Sequence, residues 1–458
     1  MPSEPGWDPP VLPDNTGIES VQAVAPSIRQ MLLSISTLIL DRMERTTTPW
    51  IDTKFDIITG RDFASDDPLR GPDTVYGWIQ GRGLESLVAH ARLFADEPGF
   101  TARAEPVIRE LMGSIQRARE LNDGHLHFFM NPDGKALHLQ KDGVFLPHTL
   151  DSKSLYSFSD LFAAKGMRAA AAYLNDDNIS AEAGTYGRQV AESILDRSFR
   201  SDQQPLDPKE SVEPPLGCST HASYMLAIGH MALAVESGNI DALPWGLVMV
   251  DHILNRHVND GRWPDLEMND YVEFIDDRDE PWITEGCVIG DPGHALEFVG
   301  LTLKLTHAAR QYPSIEGCPT ERITAIEGRM PALLRHIFGY GFHDPPGGIR
   351  KRVDLRTKLP VNTDMPWWSL PETMRAALYT WRIATEEDDR AEALRIFAKC
   401  WNAFTRNYVR PDRNLMAIQT LGGDGQPAQA IPATPDLDPG YHTGLSLIDC
   451  LKVMEEME

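Results

Sequence analysis

Twelve amphipathic segments, which come in pairs, constrain the fold of this chain more than any other feature. In each segment apolar residues recur with the period of a helix. Short connections join the two members of a pair, and longer stretches rich in Gly, Pro and Asp separate the pairs. This pattern is typical of six helical hairpins and predicts an all-α fold, an (α/α)6 barrel. The segments span residues 18–43, 77–96, 101–121, 158–175, 180–197, 219–236, 242–257, 291–311, 321–338, 369–385, 388–405 and 441–456.

Short β-hairpins are predicted in the long intervals between helical pairs. An Asn-Pro-Asp-Gly turn joins two runs of strand-forming residues, 125–130 and 135–140, and a second turn lies at 342–348. In such a barrel the second helix of each hairpin lines the centre, so we expect these β-hairpins on the rim where the inner helices begin. We expect residues 1–17, which are Pro-rich and aperiodic, to form an extended arm, and residues 18–458 to form one barrel domain.

Composition excludes several classes of protein. A hydrophobic fraction of 42% is enough for a globular core, and a net charge of −24 would repel nucleic acid and anionic membranes. The five cysteines are widely separated and odd in number, which indicates a reducing compartment and no disulfide framework. The N-terminus lacks the pattern of a signal peptide, and no uninterrupted apolar run reaches about 18 residues. We therefore expect a cytoplasmic protein.

The sequence predicts neither a cofactor nor a metal. Neither a P-loop nor a dinucleotide-binding glycine motif follows a predicted strand. His125, His127, His138 and His148 lie near the first β-hairpin, but neither a carboxylate-rich cluster nor an H-E-x-x-H pattern accompanies them. We interpret them as solvent-facing histidines on the rim.

Four polar-aromatic motifs open the second helices of four hairpins. They are W-I-Q-G-R from Trp78, P-G-H-A-L-E from Pro292, W-W-S-L-P-E from Trp367 and Y-H-T from Tyr441. Since the inner helices of such a barrel begin at the same end, the fold would gather the motifs at one site. Two histidines, two glutamates, an arginine and several indole rings predict a pocket that binds a polyhydroxylated ligand and moves protons on it.

His294 lies in the first turn of a strongly signalled helix. Asp291 is a good N-cap and Pro292 a good first helical residue. Glu297 follows three residues later on the same face, where its carboxylate could orient the imidazole. We expect an acid/base histidine held by Glu297. The alternative is a helix-start histidine beside an acidic residue that complements the helix dipole.

His442 and Glu372 also have two interpretations each. His442 opens the last helix as His294 opens its own, which predicts a second acid/base group; the alternative is an ordinary cap-region histidine. Glu372 and Ser369 satisfy the S-x-x-E capping box, which competes with a contact to a substrate hydroxyl.

An arginine and three tryptophans complete the candidate pocket. Arg82 lies between two glycines, and on an inner helix it needs a partner, either Glu297, Glu372 or a ligand oxygen. Tryptophan can stack on the apolar face of a sugar, although one indole of the Trp-Trp pair is expected in the core. The predicted substrate-binding residues are Arg82, Glu372, Trp367, Trp368, His221 and Trp78.

In combination, W-I-Q-G-R, D-P-G-H-A-L-E, P-W-W-S-L-P-E and G-Y-H-T resemble the motifs of the N-acylglucosamine 2-epimerase family. That family includes the renin-binding protein branch, cellobiose 2-epimerases and aldose–ketose isomerases. The resemblance covers about residues 70–456. Cellobiose-type members tend to carry a His-x-His-x-x-Glu segment where this chain has His221 followed by Ala-Ser-Tyr. This departure weakens the cellobiose interpretation and any catalytic role for His221.

The resemblance implies roles for five residues. His294 and His442 would be the acid/base pair, with Glu297 supporting His294. Arg82 would polarise the sugar near its carbonyl end. Glu372 would hold ring-opening or hydroxyl groups.

The implied function is a 2-epimerase or isomerase that acts on an open-chain aldose, either an N-acylhexosamine or a hexose. Proton abstraction at C2 gives an enediolate; proton return to C2 gives the 2-epimer, and return to C1 gives a ketose, as in mannose–fructose isomerisation. One alternative is a glycoside or unsaturated-uronide hydrolase on the same barrel, with Glu297 and Glu372 as its carboxylates. Another is a non-catalytic carbohydrate-binding protein. The expected partner is a small-molecule sugar, and a homodimer is the oligomer we favour.

Overall fold

The computed structural model is mostly helical, as the twelve segments predict. It describes residues 6–46, 48–148, 155–203, 217–312, 320–428 and 437–457, without the side chain of Pro98. The helices are α1 Ile18–Gln22, α2 Ala25–Arg45, α3 Gly77–Leu93, α4 Pro98–Leu121, α5 Phe158–Leu174, α6 Asp177–Leu195, α7 Ala222–Glu236, α8 Leu243–Arg256, α9 Pro292–Arg310, α10 Thr320–Gly341, α11 Ser369–Ile383, α12 Glu387–Ala403 and α13 Ser446–Glu455.

The first and last predicted helices differ in detail from the expectation. Segment 18–43 is broken into α1 and α2 because Pro26 lies in the first turn of α2, where its missing N–H and its ring prevent continuation from α1. Segment 441–456 opens as a wider π-helical turn, Tyr441–Leu445, before α13 begins. Gly440, with φ of +82°, starts this turn.

Alternate helices pack against one another in sequence order. α3 contacts α5, and the series continues through α7, α9 and α11 to α13. The Tyr441–Leu445 turn that leads into α13 contacts α3. Each of α4, α6, α8, α10 and α12 packs on the helix that precedes it in the chain. The even-numbered segments of the prediction are therefore the ones that contact their counterparts, as expected. The expected pairing is wrong by one helix, because the short connections, such as the one from Leu93 to Pro98, join each of these helices to the helix that follows it.

The crossing of α3 and α5 requires glycine. A Cβ atom at Gly81 would lie 2.3 Å from the carbonyl carbon of Phe162, and one at Gly166 would lie 2.5 Å from the carbonyl oxygen of Gly81. Any larger residue would push the two helices apart. Because Arg82 follows Gly81, this close crossing also sets the position of Arg82.

Short antiparallel strands connect the helices. Among the described residues they form two four-stranded sheets, of order β3-β4-β5-β6 and β14-β13-β10-β9, and several two-stranded ribbons. Both predicted β-hairpins are confirmed, because β4 pairs with β5 and β11 pairs with β12. The strands are β1 Phe55–Asp56, β2 Arg61–Asp62, β3 Val75–Tyr76, β4 Phe129–Met130, β5 Ala136–Leu139, β6 Phe145–Pro147, β7 Ser219–Thr220, β8 Phe274–Ile275, β9 Ile283–Thr284, β10 Cys287–Gly290, β11 Phe342–His343, β12 Gly348–Ile349, β13 Arg352–Asp354, β14 Leu359–Asn362, β15 Met365–Pro366, β16 Val409–Arg410, β17 Met416–Ala417 and β18 Thr420–Leu421.

The N-terminal arm is fastened to α12 from the first described residues onward. Nε1 of Trp401 donates to the carbonyl oxygen of Pro10 at 2.8 Å. The backbone N–H of Leu12 donates to Oδ1 of Asn402 at 2.9 Å. The arm therefore packs on the helical body.

The helical region Ile18–Arg45 is apolar enough to cross a membrane by length and mean hydropathy, which is 1.4 over its best window. Single polar residues interrupt this region, so it contains no uninterrupted apolar run of about 18 residues. In that window 56% of the residues are buried inside the protein, and Ile28, Met31 and Ile39 are fully buried. This burial is typical of a helix that packs in the core of a protein.

Candidate active site

The start of α9 is built as predicted. Oδ1 of Asp291 accepts the backbone N–H of His294 at 3.2 Å, and Pro292 begins the helix. β10 leads directly into this cap and pairs with β13. His294 is therefore positioned by a helix start and a sheet together.

His294 pairs with a carboxylate that no sequence pattern indicated. Its Nδ1 lies 3.2 Å from Oε1 of Glu273 and 3.4 Å from Oδ2 of Asp291. The prediction that Glu297 holds His294 is wrong, because within the described part of the chain no hydrogen bond joins the two side chains. Glu297 lies beside Glu372 instead. His294 and Glu297 do lie three residues apart on α9, but Nδ1 of His294 faces the segment that precedes this helix.

The charges around His294 and Glu273 stabilise each other. Burial alone would raise the pKa of the Glu273 carboxyl, but the imidazoles of His221 and His294 hold this pKa well below its ordinary range. Burial alone would lower the pKa of His294, but Asp291 and Glu273 outweigh it and raise this pKa, against the opposing charge of Lys351. His294 therefore keeps its proton to a higher pH than a free histidine does.

A second histidine–carboxylate pair joins the start of α11 to the turn before α13. Nδ1 of His442 lies 3.0 Å from Oε1 of Glu372, and Oε2 of Glu372 accepts a hydrogen bond from the guanidinium of Arg375. The capping box is not formed, since Oγ of Ser369 donates to the carbonyl oxygen of Pro366 at 2.7 Å. Burial alone would raise the pKa of Glu372, but Arg375 and His442 lower it. The structural alternative for Glu372 is therefore wrong.

Glu297 lies next to this second pair. Its carboxylate and the donor atoms of Glu372 and His442 all lie within 4.8 Å of one another. Among the described residues no side chain forms a hydrogen bond or ion pair with it. Burial and the negative charge of Glu372 raise its pKa. Glu297 is thus the carboxyl of the site that most readily carries a proton.

Arg82 is a buried guanidinium without an ion pair in the part of the chain that the structure describes. Its Cζ lies 4.1 Å from the ring centre of Phe162, 5.2 Å from that of Tyr441 and 5.3 Å from that of Trp78. Burial lowers its pKa, and Tyr441 and Glu297 offset part of this effect. Because an unpaired buried charge is costly, this geometry favours a ligand oxygen as the partner of Arg82.

The structure separates the two adjacent tryptophans. The half-buried indole of Trp368 has its ring centre 5.5 Å from that of His294 and 5.5 Å from that of His442, so it adjoins both histidines. Trp367 is buried, and its Nε1 donates to Oγ1 of Thr443 at 3.3 Å. The expectation that one indole belongs to the core is confirmed.

Trp78 is also buried. Its Nε1 donates to Oδ1 of Asp202 at 3.0 Å, and its ring packs edge to face against Phe128 and Phe158. The indole therefore forms part of the wall behind Arg82. Its contact with a ligand stays a prediction.

His221 joins the site through Glu273. Its Nε2 lies 2.9 Å from Oε2 of Glu273, and its ring centre is 5.9 Å from that of His294. Sequence reasoning missed Glu273 and Arg375. Arg375 had a signal, because it lies three residues after Glu372 on one helix. Glu273 had none, because it lies in an irregular segment whose place depends on strand pairing.

Two sets of three donor atoms are close enough to hold a metal ion. The atoms of each set lie within 4.8 Å of one another, and imidazole–carboxylate hydrogen bonds already use several of them. The rim histidines do not form such a set among the described residues, although the rings of His127 and His148 are 5.0 Å apart. The expectation that all four face solvent is wrong: His125 is buried with its Nδ1 3.1 Å from Oδ2 of Asp160, and burial lowers the pKa of His127 to about 4. The two sets are His221, Glu273 and His294, and Glu297, Glu372 and His442.

No protein-family model and no curated protein matches this sequence. Solved structures do match over nearly the full length of both chains. A sugar epimerase from a ruminal bacterium has a TM-score of 0.68 at 11% identity, covering 95% of this chain and 99% of its own. A D-mannose isomerase has a TM-score of 0.63 at 12% identity, covering 94% and 99%. The cellobiose 2-epimerase from Bacillus thermoamylovorans also has 0.63 at 12% identity, covering 94% and 99%.

A weaker match shows that the fold is shared with another class of enzyme. A possible GH105 member from Salmonella enterica has a TM-score of 0.51 at 9% identity, covering 96% of both chains. At such identities the likeness concerns the fold alone. The resemblance inferred from the four motifs is thus confirmed at that level: the chain has the fold of sugar epimerases and isomerases, which is of the (α/α)6-barrel type.

Proposed function

We propose that the six inner helices close into a barrel and that the chain is a carbohydrate isomerase, a 2-epimerase or an aldose–ketose isomerase. One observation carries the proposal. The rings of His294 and His442 both adjoin the indole of Trp368, each with its centre 5.5 Å away, and the Nδ1 of each faces a buried carboxylate. In both rings this contact directs the proton to Nδ1 and leaves the Nε2 lone pair for a ligand.

The arrangement suits proton transfer at the carbon beside a carbonyl. One imidazole Nε2 removes the proton from C2 of the open-chain sugar, and the C–H electron pair moves to the carbonyl to give an enediolate. The guanidinium of Arg82 stabilises the negative charge that develops on the carbonyl oxygen. The second imidazole returns a proton to the opposite face of C2, or a proton returns to C1 while the O2–H proton passes to O1. The product is then the 2-epimer or the ketose.

Glu297 and Trp368 complete the proposed site. Because its pKa is raised, Glu297 can donate a hydrogen bond to a sugar oxygen and assist ring opening beside Glu372 and His442. The indole of Trp368, which adjoins both imidazoles, offers an apolar surface on which the sugar can stack. The proposed reaction uses only these side chains and requires no metal.

A glycoside hydrolase is the second candidate, and one observation favours it. Glu297 and Glu372 lie within 4.8 Å of each other, and their environments raise the pKa of Glu297 and lower that of Glu372. A protonated acid beside an ionised carboxylate is the pattern of a retaining hydrolase. However, Arg375 and His442 occupy both oxygens of Glu372. A nucleophile would need one of them free, so we place this function second.

Proton NMR in deuterated water tests the proposal directly. The purified protein is incubated separately with N-acetylmannosamine, mannose, fructose, glucose and cellobiose. A new aldose with deuterium at C2 supports a 2-epimerase, and a ketose supports an isomerase. Release of glucose from cellobiose without exchange at C2 would support the hydrolase. Absence of exchange with all five sugars would count against the proposal as stated.

A further inference from the structure

Glu273 lies between the two strands that lead into His221 and His294. β7 pairs with β8, which places His221, the residue after β7, beside Glu273, the residue before β8. The backbone N–H of Glu273 donates to the carbonyl oxygen of Ile289 in β10 at 2.9 Å. β10 in turn leads into the cap of α9. Both histidines are therefore fixed relative to Glu273 by backbone hydrogen bonds.

Each oxygen of the Glu273 carboxylate accepts a hydrogen bond from a different imidazole. Nε2 of His221 lies 2.9 Å from Oε2, and Nδ1 of His294 lies 3.2 Å from Oε1. A carboxylate offers two acceptor oxygens, whereas an amide offers one oxygen and one N–H donor group. Two imidazole N–H groups therefore require an ionised acid at this position, and a glutamine would satisfy only one of them.

We propose that Glu273 is the positioning residue of His294, which holds the Nδ1–H tautomer and turns the Nε2 lone pair towards the ligand. The inference rests on the acid/base role proposed for His294. His221 occupies the second oxygen and so fixes the rotation of the carboxylate. His221 acts on the reaction through Glu273, which gives this histidine a role without a ligand contact.

Several other charged groups face His294. Asp291 and Glu297 belong to the start of α9, His221 stands before α7, and Lys351 reaches in from the connection between β12 and β13. Lys351 pairs with Asp291 at 2.5 Å and so compensates its charge. Loss of the negative charge of Glu273 would therefore leave His294 easier to deprotonate.

The first experiment compares Glu273→Gln with Glu267→Gln. Glu267 belongs to the same interhelical segment, but its side chain is exposed and forms no hydrogen bond within the described residues. For Glu273→Gln we expect kcat to fall about 10²-fold with KM nearly unchanged, because the tautomer is disturbed and the binding groups remain. The limb of the pH profile that belongs to His294 should shift to lower pH. Glu267→Gln should change neither quantity, and equal profiles for both variants would overturn the proposal.

Glu273→Asp separates positioning from folding. Aspartate keeps the charge and both acceptor oxygens but shortens the reach, so its kcat should lie between those of the unaltered protein and Glu273→Gln. Circular dichroism and thermal unfolding of all three variants establish that the fold is present. A Glu273→Asp activity as low as that of Glu273→Gln, with unchanged pH limbs in both, would point to a purely structural residue.

A measurement without sugar makes the result independent of the proposed function. Nitrogen-15 NMR of histidine-labelled protein reports the tautomer of His294, with His294→Asn used to assign its signals. We expect the Nδ1–H form in the unaltered protein and a rise of the Nε2–H form in Glu273→Gln. An Nε2–H form in the unaltered protein would overturn the inference. If the tautomer result holds and no sugar exchanges, the proposed function fails and the positioning contact remains.

Discussion

The two histidine–carboxylate pairs of the site are alike in geometry and differ in what holds the carboxylate. Glu372 faces His442 with one oxygen and the guanidinium of Arg375 with the other. Glu273 faces an imidazole with each oxygen. A guanidinium stays charged at every pH that a protein survives, whereas an imidazole loses its proton near neutrality. The first pair is therefore part of a permanent ion network, and the second can change its charge.

The network behind Glu372 continues to α9 and α13. Arg375 lies 3.9 Å from Asp449, and Nζ of Lys304 lies 2.8 Å from the same carboxylate. Burial alone would raise the pKa of Asp449, but Lys304 and its other cationic neighbours lower it to about 2. Among the residues that the structure describes, no such cationic network stands behind Glu273, whose neighbours are histidines and strand backbone. The site therefore holds one catalytic histidine candidate with a carboxylate in a fixed ion network and the other with a carboxylate bound by titratable imidazoles.

The largest expected effect is loss of either imidazole. His294→Ala and His442→Ala should each lower kcat by about 10³-fold while the fold persists, since each removes an acid/base group. The exposed fraction of the side chain is 24% for His294 and 9% for His442. Added imidazole should therefore restore activity better in His294→Ala. Turnover in the deuterium-exchange assay measures both effects.

Unaltered turnover in both alanine variants would remove the proposed mechanism. Equal restoration of activity by added imidazole in the two variants would show that the two positions are equally accessible to a small molecule from solvent.

Arg82→Met should affect the reaction and the fold in opposite directions. We expect kcat to fall by about 10²-fold, because the developing oxyanion loses its guanidinium. The free energy of unfolding should rise by about 1 kcal/mol, because an unpaired buried charge is removed. Urea unfolding and steady-state kinetics on the same preparation check both signs. A loss of stability would show that Arg82 has a structural partner in the folded protein.

Glu372→Gln should destabilise the protein more than Glu273→Gln does. Removing Glu372 leaves the buried Arg375 without its close partner, which costs about 3 kcal/mol of unfolding free energy. The histidines around Glu273 can instead lose a proton, so the cost there is smaller. The double variant Glu372→Gln, Arg375→Met should recover part of the loss in urea unfolding. Equal destabilisation by the two single variants would contradict the contrast between fixed and titratable supports.

The smallest effect is a pH dependence of stability at the His294–Glu273 pair, which weakens on both the alkaline and the acidic side. The raised pKa of His294 contributes stability that is present below its ordinary value of 6.5 and is lost as the pH rises through the folded value. The lowered pKa of Glu273 contributes stability that is present above 4.5 and is lost as the pH falls through its folded value.

The stability difference between the unaltered protein and Glu273→Gln should therefore be largest between pH 4.5 and 6.5 and shrink on both sides. The corresponding difference for Glu372→Gln should persist at alkaline pH, because Arg375 remains charged. Chemical unfolding at a series of pH values measures both curves. A pH-independent difference for Glu273→Gln would show that its histidines do not titrate with it.

Local signals in the sequence predicted much of the fold and part of the site. The period of apolar residues located the helices, and Asp291 with Pro292 marked the start of α9 correctly, because caps and periodicity depend only on neighbouring residues. The same local logic failed at Ser369, where the capping box is not formed and Glu372 turns to His442 instead. The hydrogen bond to His442 and the ion pair with Arg375 replace the cap.

By itself, the sequence determined the helical segments, the end at which the motifs gather and the two histidines of the candidate site. Only the tertiary structure decided which carboxylate forms a hydrogen bond with which histidine. Glu297 is three residues from His294 yet lies beside Glu372, whereas Glu273, 21 residues away, contacts the ring. The physical reason is that side-chain direction on a helix is set by local geometry, but Glu273 reaches the site through pairing of β7 with β8 and a backbone bond to β10, which no local pattern encodes.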